Sequence, residues 1–121
     1  MKIRIKDDSI RLRLTQTEVK QLVDDRKVNS NCCLSLNTIF SYPIESGDAW
    51  YTEFLNNEIV IQIPSHLLIN WDTNQEVGFE TIIDNGSNGL KLLIEKDFKC
   101  LTPRDENEDD HYQNPLNQHN C

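Results

Sequence analysis

Residues 2–14 alternate between apolar and basic side chains, and this alternation constrains the fold more than any other feature of the sequence. The segment reads Lys-Ile-Arg-Ile-Lys, then Asp7-Asp8-Ser9, then Ile-Arg-Leu-Arg-Leu. A period of two is typical of strands with one buried face, and aspartate tolerates the positive φ of a two-residue turn. The predicted hairpin register pairs Ile5 with Ile10, Arg4 with Arg11, Ile3 with Leu12 and Lys2 with Arg13.

One face of this hairpin is basic. Like charges directly opposite each other destabilise a sheet, so the face is expected to have an anionic counterpart. Arginine suits bidentate recognition of carboxylate or phosphate, so a phosphate, a nucleotide or an acidic partner would fit. The predicted anion-binding residues are Lys2, Arg4, Lys6, Arg11 and Arg13.

The chain's own carboxylates are the alternative counterpart. Glu95 and Asp97 share one face of the predicted last strand, about 7 Å apart along it. An acidic stretch follows that strand. The predicted counter-charges are Glu95, Asp97, Asp105, Glu106, Glu108, Asp109 and Asp110. A third interpretation is a solvated face, because long basic side chains can fan apart into water.

Charge and composition exclude several classes of protein. A net charge of −8 and a pI near 4.7 argue against general nucleic-acid binding, which needs a basic surface. The sequence has neither a signal-peptide pattern nor an apolar run of membrane-spanning length, so we expect a cytoplasmic protein without a membrane partner. The four cysteines are expected to be free thiols, one or two of them buried. Their spacing matches no zinc template, so no metal or other cofactor is predicted.

Capping and turn signals predict the remaining elements. Thr15 and Glu18 have capping-box spacing and predict a helix from Gln16 to Asp25. Asn56-Asn57 predicts a turn between two strands, 49–55 and 58–63. Ser65 is the expected N-cap of a short second helix. One strand is predicted within 28–42, a second at 77–83 and a third at 90–100.

These elements predict an α+β fold with a single domain at 1–101. Its sheet would be mostly antiparallel and either curved or a partly open barrel, with one main helix after the first hairpin and a second short helix. Residues 102–121 are acidic and polar, and they are predicted to form a tail without a core of its own.

Two stretches carry a resemblance to a known family. Met1–Lys6, Ser9–Thr15 and Glu18-Val19 resemble the opening of a family of small uncharacterised bacterial proteins. The close of that family is similar to Ile94–Leu101 and to the acidic stretch ending near Tyr112–Pro115. The resemblance implies that the basic start and the acidic end belong to one architecture, and it implies no activity. A weaker similarity links the alternating charges to triphosphate-tunnel enzymes, whose Glu-x-Glu-x-Lys motif this chain lacks.

Three functional hypotheses follow. The favoured one is a small non-enzymatic module that binds an anion or an acidic protein segment on the basic hairpin face. The second is a metal-dependent, phosphate-handling enzyme using Glu95 and Asp97, because paired carboxylates can hold Mg²⁺ or transfer protons. The third is a structural or oligomeric protein whose acidic tail covers the basic face. The sequence leaves homo-oligomerisation open.

Overall fold

The computed structural model describes residues 1–98, of which strands hold 52% and helices 14%. Its strands are β1 (Lys2–Lys6), β2 (Ser9–Leu14), β3 (Lys27–Val28), β4 (Asn31–Ser35), β5 (Thr38–Ser41), β6 (Ile44–Gly47), β7 (Tyr51–Leu55), β8 (Glu58–Pro64), β9 (Gly78–Ile83) and β10 (Leu90–Lys96). Helix α1 spans Gln16–Asp25, and a 3₁₀ turn spans Ser65–Leu68. In this part of the chain, no helix combines the length and apolarity needed to cross a bilayer.

The first sheet has four strands in the order β1-β2-β10-β9. The β1–β2 hairpin has the predicted register, from Lys2 opposite Arg13 to Ile5 opposite Ile10. Asp7 has the positive φ of 51° that its turn requires. Strand β10 lies parallel to β2 and antiparallel to β9, so the sheet is mixed.

The second sheet consists of two bent hairpins. Strand β3 runs antiparallel to β6, and β4 runs antiparallel to β5. The chain reverses between β4 and β5 at Leu36-Asn37. Strands β5 and β6 both pair in parallel with β8, while β7 pairs antiparallel with the other edge of β8. Asn56 and Asn57 form the predicted turn between β7 and β8, with φ values of 53° and 61°. This sheet is therefore mixed as well.

Helix α1 has the predicted bounds and the predicted capping box. The Thr15 hydroxyl accepts a hydrogen bond from the Glu18 backbone N–H at 3.3 Å, and the Glu18 carboxylate accepts one from the Thr15 N–H at 2.9 Å. Val19 and Leu22 face the core. Arg26 ends the helix in the left-handed region, with φ 64°.

Both sheets contribute to one hydrophobic core. Alternate residues of β2, β8 and β10 and the first residue of β6 form this core, together with residues of α1 and Trp71. The buried side chains are Ile10, Leu12, Leu14, Val19, Leu22, Val28, Tyr42, Ile44, Ile61, Ile63, Leu68, Trp71, Leu92 and Ile94. Because β2 and β10 fill one side of this core, their outer faces are fixed towards solvent.

The predicted fold class is wrong. The protein is mostly β, with two mixed sheets in place of one mostly antiparallel sheet, and the sheets do not close into a barrel. The prediction failed because the parallel pairing of β2 with β10 joins opposite ends of the described chain, and no local pattern encodes such a contact. The second helix is only one 3₁₀ turn, and Pro64 occupies its N-cap position. The Ser65 hydroxyl donates instead to the Gly47 carbonyl at 3.0 Å.

Two smaller predictions also differ from the structure. The single strand expected within 28–42 is a hairpin of β4 and β5. Cys32 and Cys33, expected to include a buried thiol, are both exposed free cysteines. The turn at Leu36-Asn37 divides the expected strand in two. The two cysteines are exposed because β4 is an edge strand whose five residues are all exposed. The acidic tail lies outside the described residues, and the division at residue 101 stays a prediction.

Candidate functional site

The basic face is built by three adjacent strands. Lys2 and Arg4 on β1 lie opposite Arg13 and Arg11 on β2. On the other side of β2, the parallel register places Glu95 of β10 beside Arg13. The sheet thus brings together cations from the start of the chain and an acid far from them in sequence.

Glu95 binds both arginines of β2. Its Oε1 atom accepts hydrogen bonds from Arg11 Nε at 2.6 Å and from Arg13 Nε at 3.0 Å. The Glu95 side chain is only 13% exposed, so these ion pairs are partly shielded from solvent. Hydrogen bonds between charged groups are the stronger ones in proteins. Glu95 therefore offsets the repulsion that two neighbouring arginines would otherwise produce.

Asp97 lies at the open end of the hairpin. Its Oδ2 atom is 3.3 Å from Lys2 Nζ, and its backbone N–H donates to the Leu14 carbonyl at 2.8 Å. The Lys2 side chain is largely exposed, so this ion pair contributes little stability by itself. Lys2, Arg11 and Arg13 nevertheless all have a carboxylate partner, either on β10 or directly after it.

The turn end of the hairpin is different, because Arg4 and Lys6 have no carboxylate within 4.0 Å among residues 1–98. They border a cavity of about 510 Å³ that also takes in the β1–β2 turn and the start of β10. The cavity is lined by Arg4, Lys6, Asp7, Asp8, Ser9, Arg11 and Lys91. Lys91 is paired with Glu80 at 3.2 Å. Cationic groups from three strands therefore converge on one concavity.

The second hypothesis, a metal-dependent enzyme, requires a metal site at Glu95 and Asp97, and the described residues do not form one. Residues 1–98 contain no group of three His, Cys, Asp or Glu side chains arranged to hold a metal ion. Glu95 and Asp97 contact different cations, as described above. The two carboxylates therefore act as ion-pair partners of the basic hairpin.

Two residues of the site had no signal in the sequence. The sequence predicts only that Lys91 lies on a strand. In the structure, its backbone N–H donates a hydrogen bond to the Asp8 carbonyl at 2.8 Å, which places Lys91 beside the cavity. Gly78 lies opposite Glu95 on β9. A Cβ atom at Gly78 would come within 2.5 Å of the Ile94 carbonyl oxygen and 2.7 Å of Glu95 Cβ. The remaining predicted counter-charges, Asp105, Glu106, Glu108, Asp109 and Asp110, lie outside the described residues.

Comparison with known proteins identifies a family. Residues 1–116 match a family of unknown function, DUF7009, and the chain belongs to it. The predicted membership of an uncharacterised family is therefore confirmed. The match includes both the basic hairpin and the acidic stretch at 104–110. No curated protein and no solved structure gives a significant match.

Proposed function

We propose that the protein is a small binding module whose basic hairpin face takes an anionic group, either a phosphate or a carboxylate. The observation that carries this proposal is the cavity at the turn end, where Arg4 and Lys6 lack a carboxylate partner within residues 1–98. A single unpaired cation at the surface lowers the stability of a protein little. Two cationic side chains beside one concavity, however, produce a positive potential that attracts an anion from solvent.

The residue types favour a small anion. Arg4 and Arg11 are directly opposed on neighbouring strands. A guanidinium group can donate two hydrogen bonds to one phosphate or carboxylate, and Arg11 has N–H groups besides those that contact Glu95. Four cationic side chains and two aspartates line the cavity, which leaves a formal excess of two positive charges (4 − 2). This excess matches a compact anion of low charge better than a nucleic-acid backbone, which carries a long array of phosphates.

The acidic stretch at 104–110 is an alternative ligand for this site, in place of an external anion. Asp105 follows Phe98 by seven positions in the sequence, a separation of about 23 Å in extended form. Strand β10 covers about 17 Å between Lys91 and Lys96 at the same rise per residue. The tail is therefore long enough to return along β10 to the cavity, where its carboxylates would compete with an external anion.

The test is calorimetric titration of the full chain with phosphate, pyrophosphate and ATP at low salt. We expect Arg4→Gln to weaken binding at least about tenfold, equivalent to about 1.4 kcal/mol. The matched control is Lys20→Gln on α1, which removes the same charge far from the cavity. A second variant neutralises the tail through Asp105→Asn, Glu106→Gln, Glu108→Gln, Asp109→Asn and Asp110→Asn.

The outcomes separate the hypotheses. Tighter anion binding by the tail-neutralised chain would support competition between the tail and the ligand. Equal affinities of the full and tail-neutralised chains, both weakened by Arg4→Gln, would support an open site. If neither chain binds any of the three anions at millimolar concentration, the proposed function is wrong.

A further inference from the structure

The hairpin of β4 and β5, Asn31–Ser41, is here called the uncharged arm. No residue from Val28 to Ile44 is charged, although charged residues make up 26% of the chain and its net charge is −8. Apolar side chains are instead exposed on the arm. Leu34 is 63% exposed, Ile39 is 55% exposed, and Leu36 at the turn is fully exposed.

The uncharged arm extends beyond the rest of its sheet. Ser41, the last residue of β5, is the one residue of that strand in register with β8, and its partner Glu58 is the first residue of β8. Residues 32–40 therefore project past β8 as a two-stranded ribbon. All five residues of β4 are exposed. A ribbon of only two strands is marginally stable in water unless a further strand or layer covers it.

The outer edge of β4 also lacks the usual protection of edge strands. Natural edge strands carry charges that prevent pairing with another chain. The other described edge strands follow this rule: β1 has three basic residues, β3 has Lys27, β7 has Glu53 and β9 has Glu80. Strand β4 has none. A β-bulge interrupts its pairing between Cys33 and Ser35, which leaves Asn31–Cys33 as its regular part.

The hydrogen-bond pattern shows which backbone groups of β4 point away from β5. The Tyr42 N–H donates to the Ser30 carbonyl at 3.0 Å, just before the arm begins. In an antiparallel pair, hydrogen-bonded positions alternate with positions whose polar groups point outward. Cys32 is therefore the next residue bonded to β5. Asn31 and Cys33 direct their backbone N–H and C=O groups away from the sheet.

We propose that β4 pairs antiparallel with β4 of a second copy of this chain, with Cys33 opposite Cys33 across a two-fold axis. A second copy is the occupant because an antiparallel β4 edge is complementary to itself, as a two-fold interface requires. Two copies with a net charge of −8 each repel one another over most of their surfaces, and the uncharged arm is the place where this repulsion is weakest. Pairing converts two ribbons into one four-stranded sheet.

The test is sedimentation equilibrium of the full chain in reducing buffer, up to about 1 mM, because a short interface is weak and reversible. We expect a concentration-dependent dimer. Cys33→Lys places two ammonium groups directly opposite each other and should weaken the dimer at least about tenfold. The matched control is Ile82→Lys on the edge strand β9, where the side chain is 68% exposed. Cys33→Ser should retain the dimer.

Hydrogen exchange provides an independent readout that needs no variant. The Asn31 and Cys33 amides should become at least about fivefold more protected on going from dilute to concentrated protein, because pairing blocks their exchange. If Cys33→Lys lowers the melting temperature, Leu34→Lys replaces it, because Leu34 also lies on β4 and its side chain is 63% exposed; it should weaken the dimer in the same direction. A chain that stays monomeric at 1 mM would overturn the proposal, as would a dimer that Ile82→Lys weakens as strongly as Cys33→Lys.

Discussion

Arg4 and Arg11 lie directly opposite each other on β1 and β2, but within residues 1–98 only Arg11 has a carboxylate partner. The difference follows from strand order. Strand β2 lies inside the sheet beside β10, so its arginines reach Glu95, whereas β1 is an edge strand and no other strand of residues 1–98 lies along its outer side. The basic face thus consists of neutralised arginines on β2 and a strip on β1 in which Lys2 pairs with Asp97 but Arg4 and Lys6 have no carboxylate partner within residues 1–98.

Replacing Glu95 with glutamine should destabilise the protein. The variant keeps the shape of the side chain but leaves Arg11 and Arg13 without their shared negative charge. Hydrogen bonds to charged groups contribute about 1.5–3 kcal/mol, so we expect a loss of that size in the free energy of unfolding, measured by urea denaturation. Added salt should reduce the loss, because screening weakens the repulsion between the arginines.

Glu80→Gln is the matched control for this variant. Glu80 pairs with Lys91 at 3.2 Å on the same sheet, but both side chains are more than half exposed. Exposed ion pairs contribute about 0–1 kcal/mol, so the control should lie near the wild type. Equal losses for the two variants would show that Glu95 has no special role in the basic face.

Replacing Gly78 with alanine should disturb Glu95 from the neighbouring strand. The new methyl group would press on the Ile94 carbonyl and on Glu95 Cβ, and crowding of this kind costs about 1–3 kcal/mol. Ile82→Ala on the same strand truncates a side chain that is 68% exposed and should cost less than Gly78→Ala. If the methyl group acts through Glu95, the double variant Gly78→Ala/Glu95→Gln will lose less stability than the sum of the single losses.

The local features of this fold could be predicted from the sequence. The register of the first hairpin follows from the alternation in residues 2–14 and from the Asp7-Asp8 turn. Helix α1 follows from Thr15 and Glu18, because a capping box satisfies the free N–H groups of the first turn. In both cases the residues that determine the structure are close together in the chain.

The contacts between distant segments could not be predicted. The position of Glu95 beside Arg13 depends on parallel pairing between β10 and β2, and strands that pair over such separations share no local pattern. For the same reason, the sequence did not predict that Lys91 lies beside the basic hairpin. Cys33 was misjudged because an apolar stretch predicts a strand equally well at the edge of a sheet and in its centre.

Leu12→Ala tests the assignment of the hairpin faces. Leu12 is fully buried on the central strand β2, and truncation of such a side chain costs about 2–5 kcal/mol. Ile5 has the same parity in the hairpin but lies near its turn and is 55% exposed. Ile5→Ala should therefore cost much less than Leu12→Ala in chemical denaturation. Similar costs would mean that the core extends to the turn end of the hairpin.

Glu18 makes part of the stability depend on pH. Burial raises the pKa of its carboxyl group, but hydrogen bonds from the Met1 amino group and from Thr15 outweigh this effect and lower the pKa below its ordinary value of 4.5. A folded-state pKa below the unfolded one means that the unfolded chain binds more protons between the two values. The contribution of Glu18 is therefore fully present above pH 4.5 and is lost as the pH falls through the folded-state pKa.

Glu18→Gln isolates this contribution, because glutamine can replace glutamate in a capping box while the charge facing the Met1 amino group disappears. We expect the wild type to be more stable than the variant at neutral pH, with a difference that narrows steadily below pH 4.5. The measurement is urea denaturation of both proteins at several pH values between neutral and strongly acidic. A difference that stays constant across this range would show that the glutamate acts only as a hydrogen-bond acceptor of the helix cap. Its ionised form would then have no part in holding the start of β1 against α1.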